Sequence, residues 1–200
     1  MNFLKISRAQ AFAHEAHDSI KQIRKYSKEP YWVHTDAVAK LVELHGGDDD
    51  MICAAHLHDY REDVVTELKI QKRLEELDAF EAYYYENFGG QIDHYVVELT
   101  DVYISAAYPT LSRRIRKELE RERIAKDSPK SKTIKLADLI HNTSSIVDND
   151  PQFSRTYLSE KWALLPYLKE GNPTLWQIAH DAALAGMMKI GIPRPLNPLP

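Results

Sequence analysis

Ala54-Ala55-His56-Leu57-His58-Asp59-Tyr60-Arg61-Glu62-Asp63 passes from an apolar run to imidazoles and carboxylates within a few turns. Read as the end of a helix that Asp48 to Asp50 open and that runs to about Asp63, it sets His58 four residues before Glu62 and Asp59 four before Asp63. Each pair then lies along one face. On its own the stretch also suits a solvated helix end closed by acids. A second stretch, Ile134-Lys135-Leu136-Ala137-Asp138-Leu139-Ile140-His141-Asn142, is apolar enough to be a buried helix, yet Asp138, Asn142 and Ser145 recur at i, i+4 and i+7 as a polar stripe. A carboxylate inside such a helix needs a cation, a metal or a set of donors, because burying it alone is costly. In Tyr31-Trp32-Val33-His34 an imidazole sits just ahead of a further helix. His34, His58, Asp59 and Asp138 together offer two neutral nitrogens and two carboxylate oxygens, a mixed set that suits a first-row divalent metal with positions left for water.

Outward from these stretches, apolar residues recur at helical spacing almost throughout, and seven glycines leave little material for hairpins. The chain reads as all-α. A first helix fits Ser7 to about Tyr26, capped by Ser7, with Phe12, Ala16, Ile20 and Ile23 on one face. Thr35 or Asp36 caps a second that Gly46-Gly47 stops after His45. Further helices divide near Gly89-Gly90. A charged helix follows over Leu111 to Lys126, then one from Ser128-Pro129 to about Val147, and two more over Pro151 to Lys169 and Pro173 to Lys189. No linker or repeat divides the chain, so residues 1–192 read as one domain, and the proline-rich end, 193–200, reads as an extended tail.

Composition narrows the function classes. A chain of 200 residues, 44% hydrophobic and 28% charged, suits one globular core and not a fibrous or disordered protein. The longest apolar run, Met51 to Ala55, is far short of the ~20 residues that cross a bilayer. A single cysteine, Cys53, forms no internal disulfide and points to the cytoplasm. With a net charge of −4 the surface is not built to grip nucleic acid, and no stable nucleic-acid partner is expected. One local exception is Arg113 to Lys135, with ten Lys or Arg against four acids, which suits either a patch that draws in a polyphosphate or an exposed helix of paired charges.

His34, His58-Asp59-x-x-Glu62-Asp63 and Lys135-Leu136-Ala137-Asp138-x-x-x-Asn142, in this order, resemble the HD-type hydrolases of the RelA/SpoT group, and at this length the small alarmone hydrolases, the metazoan SpoT homologues among them. The likeness covers about residues 20–147. It implies an all-helical HD fold with a metal site between helices, one Mn²⁺ per chain, and removal of the 3′-pyrophosphate of (p)ppGpp, the stringent-response alarmone. By the same resemblance His34, His58, Asp59 and Asp138 hold the metal, and Glu62 and Asp63 act on the attacking water. Arg24-Lys25 ahead of Pro30-Tyr31, together with Asn142 and Ser145, match nucleotide contacts of the family. Two positions depart from it, Lys28 where glycine is usual and Leu139 where arginine is usual, and Lys28 is a further candidate phosphate contact.

The same metal set would serve other substrates: a ppApp-type alarmone, the 2′-phosphate of NADPH, or a pyrophosphorylated RNA 3′ end. A degenerate HD module that binds nucleotide without turnover is a third reading, which retention of every ligand together with Glu62 and Asp63 disfavours. His56 reads as a packed histidine. His14, His17, His45, His94 and His180 lack an acid motif, and Tyr83-Tyr84-Tyr85 reads as core or interface. The oligomeric state stays open.

Overall fold

The computed structural model describes residues 2–193, about three quarters of the chain being helical with no strand among the described residues. The expected tail lies outside them, apart from Pro193. The chain divides into two compact helical units, residues 1–100 and 101–200.

In the first unit, α1 (Phe3–Ser19), α2 (Trp32–Leu44) and α3 (Asp49–Leu57) lead through a π-helical turn, Tyr60–Val65, into α4 (Thr66–Ile70), α5 (Leu74–Phe88) and α6 (Gln91–Leu99). Helix α3 is the centre: it packs against α1, α2 and α6, and every residue from Met51 to Leu57 is buried. A helix enclosed on all sides needs no polar face, which is why this segment is apolar all round. Its start is set by Asp48, whose side chain accepts from the Met51 amide over 2.9 Å, with Asp49 and Asp50 in the favourable first turn. The Asn2 amide and the Lys5 ammonium reach Asp49 and Asp50 over 2.7 and 2.6 Å, tying the start of α1 to that of α3.

The sequence expectations differ from the fold in places. The first helix begins earlier and ends earlier than Ser7–Tyr26, because Asn2 supplies the cap and Lys21 turns the chain at φ 53. Ile23, expected on the helix face, is instead 54% exposed in a loop that closes through a single bridge to Pro30. No side chain caps α2. The largest difference follows α3: the helix stops at Leu57 and passes into a wider π turn, although the Asp63 amide still donates to the Asp59 carbonyl over 2.9 Å, so those two residues keep the four-residue spacing. Tyr60, buried against Phe12 and Tyr84 with ring centroids 5.0 Å from each, is packed in that turn.

The second unit holds α7 (Arg113–Ile124), α8 (Pro129–Asn149), α9 (Pro151–Leu164), a 3₁₀ turn over Leu165–Leu168 and α10 (Pro173–Lys189). Ser128 caps α8 with Pro129 in its first turn, and α8 packs on α9 and α10. Gly186 permits the close approach of α10, since a Cβ there would meet Val147 Cγ2 at 3.0 Å and Leu158 at 3.2 Å. Charged α7 is pinned by a buried acid: Glu120 accepts from the Val102 and Tyr103 amides over 3.1 and 2.9 Å. No helix among the described residues is long and apolar enough to cross a membrane.

Candidate functional site

Within the first unit the sequence brings two histidines and one aspartate to a common point. His34 lies in the first turn of α2 and is 0% exposed; His58 closes α3; Asp59 follows at φ −95, ψ −2, in the sparsely populated bridge region. The His34 and His58 rings stand 5.2 Å apart, edge to face. His58 Nδ1 is 2.8 Å from the Ala55 carbonyl oxygen, which only accepts, so Nδ1 carries the proton and Nε2 presents its lone pair. That Nε2 lies 3.1 Å from Asp59 Oδ2, and His34 Nε2 lies 3.6 Å from the same oxygen. Acceptors this close are stable around a shared cation, a proton or a metal ion. The donor set, two imidazole nitrogens and a carboxylate, fits a divalent metal of the first row.

The acids that follow are carried on the π turn. Asp63 Oδ2 accepts from Gln22 Nε2 over 2.7 Å, and burial, reinforced by the charge of Asp59, pushes its carboxyl up to about 6. Glu62 beside it is half-buried. The turn is anchored by Arg61, which donates to Asp93 over 2.6 Å and to the Tyr85 hydroxyl over 2.8 Å.

His17 is a residue that sequence reasoning misses. It is fully buried, its Nδ1 is 2.6 Å from Gln22 Oε1 and its ring is 4.9 Å from that of Tyr31. Burial lowers its pKa below the ordinary 6.5. A histidine whose partner is an amide leaves no acid motif in sequence. A periodic signal was there, since Ala9, Phe12, Ala13, Ala16 and His17 are all buried on one face of α1. His56, read as packed, is buried with Nδ1 3.1 Å from Asp36, an acid shared with His14 and Gln10. Tyr84 is core, while Tyr83 and Tyr85 are exposed.

The expected nucleotide contacts of this unit sit on the α1–α2 loop. Arg24 is half-buried with its guanidinium 5.6 Å from the Tyr31 ring, and its amide donates to the Glu29 carbonyl over 2.8 Å. Lys25 and Lys28 are exposed; the Lys28 ammonium donates to the Lys25 carbonyl over 2.8 Å. Lys28 holds φ 61, a left-handed conformation that glycine adopts without strain.

In the second unit, Asp138 is buried on α8, accepts from Asn142 Nδ2 over 2.5 Å and lies 3.2 Å from the Lys135 ammonium. The polar stripe is thus real, and Asp138 and Asn142 share one turn of it. Ser145 is half-buried, its carbonyl accepting from Asn149. Lys161 nearby is pushed down to about 8, by burial first and then by Lys135. A groove of about 460 Å³ runs along Arg113, Arg114, Lys117, Arg121 and Arg155 with one acid, Glu160, which Arg113 engages over 2.6 Å. Arg114 lies 3.7 Å from Glu118 and Lys117 meets Asp101 over 2.8 Å, so much of the local charge excess is taken up in the paired charges that the sequence also allowed.

The HD-domain family model matches residues 9–163. The guanosine-3′,5′-bis(diphosphate) 3′-pyrophosphohydrolase MESH1 of Xenopus tropicalis is 32% identical over 151 residues, 74% of this chain and 72% of that protein. A probable guanosine-3′,5′-bis(diphosphate) 3′-pyrophosphohydrolase of Synechocystis sp. is 45% identical over 67 residues, 34% of this chain but only 8% of that protein's length. Among solved structures, a metazoan ortholog of SpoT that hydrolyses ppGpp and plays a role in starvation responses matches with a TM-score of 0.71 at 26% identity, covering 90% of this chain and 94% of that one.

Proposed function

Because the chain belongs to the HD-domain family, we infer that it is a divalent-metal-dependent hydrolase that removes the 3′-pyrophosphate of (p)ppGpp, giving GDP or GTP and pyrophosphate. The observation that carries this reading is the convergence of His34 Nε2 and His58 Nε2 on Asp59 Oδ2, with the His58 tautomer already turned for ligation. His34, His58, Asp59 and Asp138 hold one ion, for which we name Mn²⁺ on the mixed nitrogen and oxygen donors and on the family resemblance. When bound, such an ion supplies Lewis acidity that withdraws charge from phosphoryl oxygens and makes water more acidic.

The chain's own groups do the rest. Water attacks the phosphorus that bears the ribose 3′ oxygen; the Glu62 and Asp63 carboxylates orient that water and take its proton; the 3′ oxygen leaves and is protonated. Arg24, Lys25 and Lys28 on the α1–α2 loop, and Asn142 and Ser145 on α8, contact the nucleotide in this reading. The groove along α7 offers a polyphosphate substrate a net positive lining, partly offset by the pairing of Arg113 with Glu160 and of Lys117 with Asp101. Residues 1–192 work as one HD hydrolase domain, a reading supported by the matched span 9–163, which runs through both units. A cytoplasmic location is supported by the single cysteine, Cys53, buried with its thiol pushed up to about 12, and the stringent-response role rests on the family resemblance.

The test is incubation of the purified protein with Mn²⁺ and ppGpp, pppGpp, ppApp or NADPH, with the products resolved. Release of pyrophosphate and GDP from ppGpp is the expected result. Turnover of NADPH or ppApp alone would move the substrate, and no turnover of any of them would remove the activity.

A further inference from the structure

Gln22 stands between two groups that the proposed chemistry has not linked. Its Nε2 is 2.7 Å from Asp63 Oδ2, and its Oε1 is 2.6 Å from His17 Nδ1. An ionised carboxylate only accepts, so the amide NH₂ faces Asp63 and the amide oxygen faces His17. The amide oxygen in turn only accepts, so His17 Nδ1 must carry the proton. The chain of donors therefore runs one way, from His17 through Gln22 to Asp63.

The backbone is built to hold this order. Lys21, at φ 53, reverses the chain directly after α1 and brings residue 22 back over the end of the helix. There the Gln22 amide donates to the His17 carbonyl over 3.1 Å, and the Gln22 carbonyl accepts from the Tyr31 amide over 3.1 Å. Residue 22 is thus pinned from both sides before its side chain makes any contact. His17 is wholly enclosed, so its ring has no room to turn over.

We propose that Gln22, oriented by His17, is a positioning residue for Asp63: a neutral donor that fixes the carboxylate in one orientation toward the reacting water without cancelling its charge. A lysine or arginine in that place would hold the carboxylate as firmly but would weaken it as a proton acceptor. A hydrophobic residue would take away the amide donor and leave the carboxylate with the Tyr31 hydroxyl, which it shares with Asp59. The proposal rests on the role given to Asp63 above, and its test separates the two.

The experiment compares Gln22→Met, Gln22→Glu, Asp63→Asn and the double variant Gln22→Met/Asp63→Asn by steady-state pyrophosphate release from ppGpp with Mn²⁺. Gln22→Met keeps the length of the side chain and removes both hydrogen bonds; Gln22→Glu still accepts from His17 but meets Asp63 with a second carboxylate. Both should lower kcat by ~10–100-fold, the usual cost of a misplaced reacting group, with KM within about twofold of the wild type. The double variant should be no slower than Asp63→Asn alone, because once the carboxylate is gone there is nothing left to position. His17→Asn, whose NH₂ falls near the place of Nδ1, should keep about tenfold more kcat than His17→Leu. A second readout needs neither metal nor substrate: ¹⁵N resonances of the metal-free protein should show His17 protonated at Nδ1. Full kcat in Gln22→Met with Asp63→Asn inactive overturns the positioning role alone, as does an Nε2-protonated His17. A fully active Asp63→Asn overturns the role of Asp63, and the positioning role with it.

Discussion

The Tyr31 hydroxyl donates to Asp59 Oδ2 over 2.6 Å, the same oxygen that His58 Nε2 approaches to 3.1 Å. A phenol donating to a carboxylate makes a short, charge-assisted bond, and it fixes which oxygen of Asp59 faces the two imidazoles. Tyr31→Phe removes that donor, together with the hydrogen bond of the same hydroxyl to Asp63. Mn²⁺ affinity measured by titration calorimetry should fall by roughly tenfold, at the low end of what losing a group that orients a ligand costs. Unchanged affinity would mean that the Tyr31 hydroxyl does not orient Asp59 for the metal.

Lys28 offers a stability test away from the chemistry. Its φ of 61 costs a side-chain-bearing residue ~1–2 kcal/mol, whereas glycine adopts it freely and gives back ~0.4–1 kcal/mol through the unfolded chain. The hydrogen bond from the Lys28 ammonium to the Lys25 carbonyl, which glycine cannot make, is exposed and worth little. Lys28→Gly should therefore leave the protein as stable or more so, by up to ~1 kcal/mol, in urea unfolding. A clear drop in stability would show that the ammonium hydrogen bond outweighs the backbone strain.

The candidate metal ligands and the paired acids were legible because polar residues in otherwise apolar helices are conspicuous: His58-Asp59 after a buried run, Asp138 inside another. Helices that carry their own punctuation were legible too, such as α10, bounded by Pro173 and Lys189 as expected. What sequence did not reveal depends on tertiary partners. Periodicity continued through Ile20 and Ile23, so nothing local marked the end of α1 at Ser19. The π turn at Tyr60–Val65 goes with the packing of Tyr60 between Phe12 and Tyr84, residues far off in the chain. Glu120 looked like one more charge on a solvated helix, yet it is buried as the acceptor for two loop amides.

Acid should weaken the fold partly through His17. Its folded pKa lies below the ordinary 6.5 because burial disfavours the imidazolium, while in the unfolded chain it titrates near ~6.5. Above that pH both states are neutral and the contribution is complete. Below it the unfolded chain takes a proton that the folded one refuses, so stability drops by at most about 1.4 kcal/mol per pH unit until the folded pKa is reached. His17→Asn should flatten this part of a urea-unfolding profile between pH 7 and pH 5. A profile identical to the wild type's would place the acid sensitivity elsewhere.

Glu62 separates chemistry from metal holding. It sits in the π turn after His58 and Asp59, in a segment anchored by the Arg61 contacts to Asp93 and Tyr85. Glu62→Gln keeps shape and hydrogen-bonding reach but removes the base. The turn should survive, since the Arg61 anchors are untouched, and the melting temperature should stay close to that of the wild type. Mn²⁺ and ppGpp should bind nearly as before in titration calorimetry. Pyrophosphate release should fall in kcat by ~10²–10⁴, the usual worth of positioned proton transfer, with little change in KM. Loss of Mn²⁺ binding would recast Glu62 as a ligand, and full kcat would leave Asp63 as the sole acceptor of the proton.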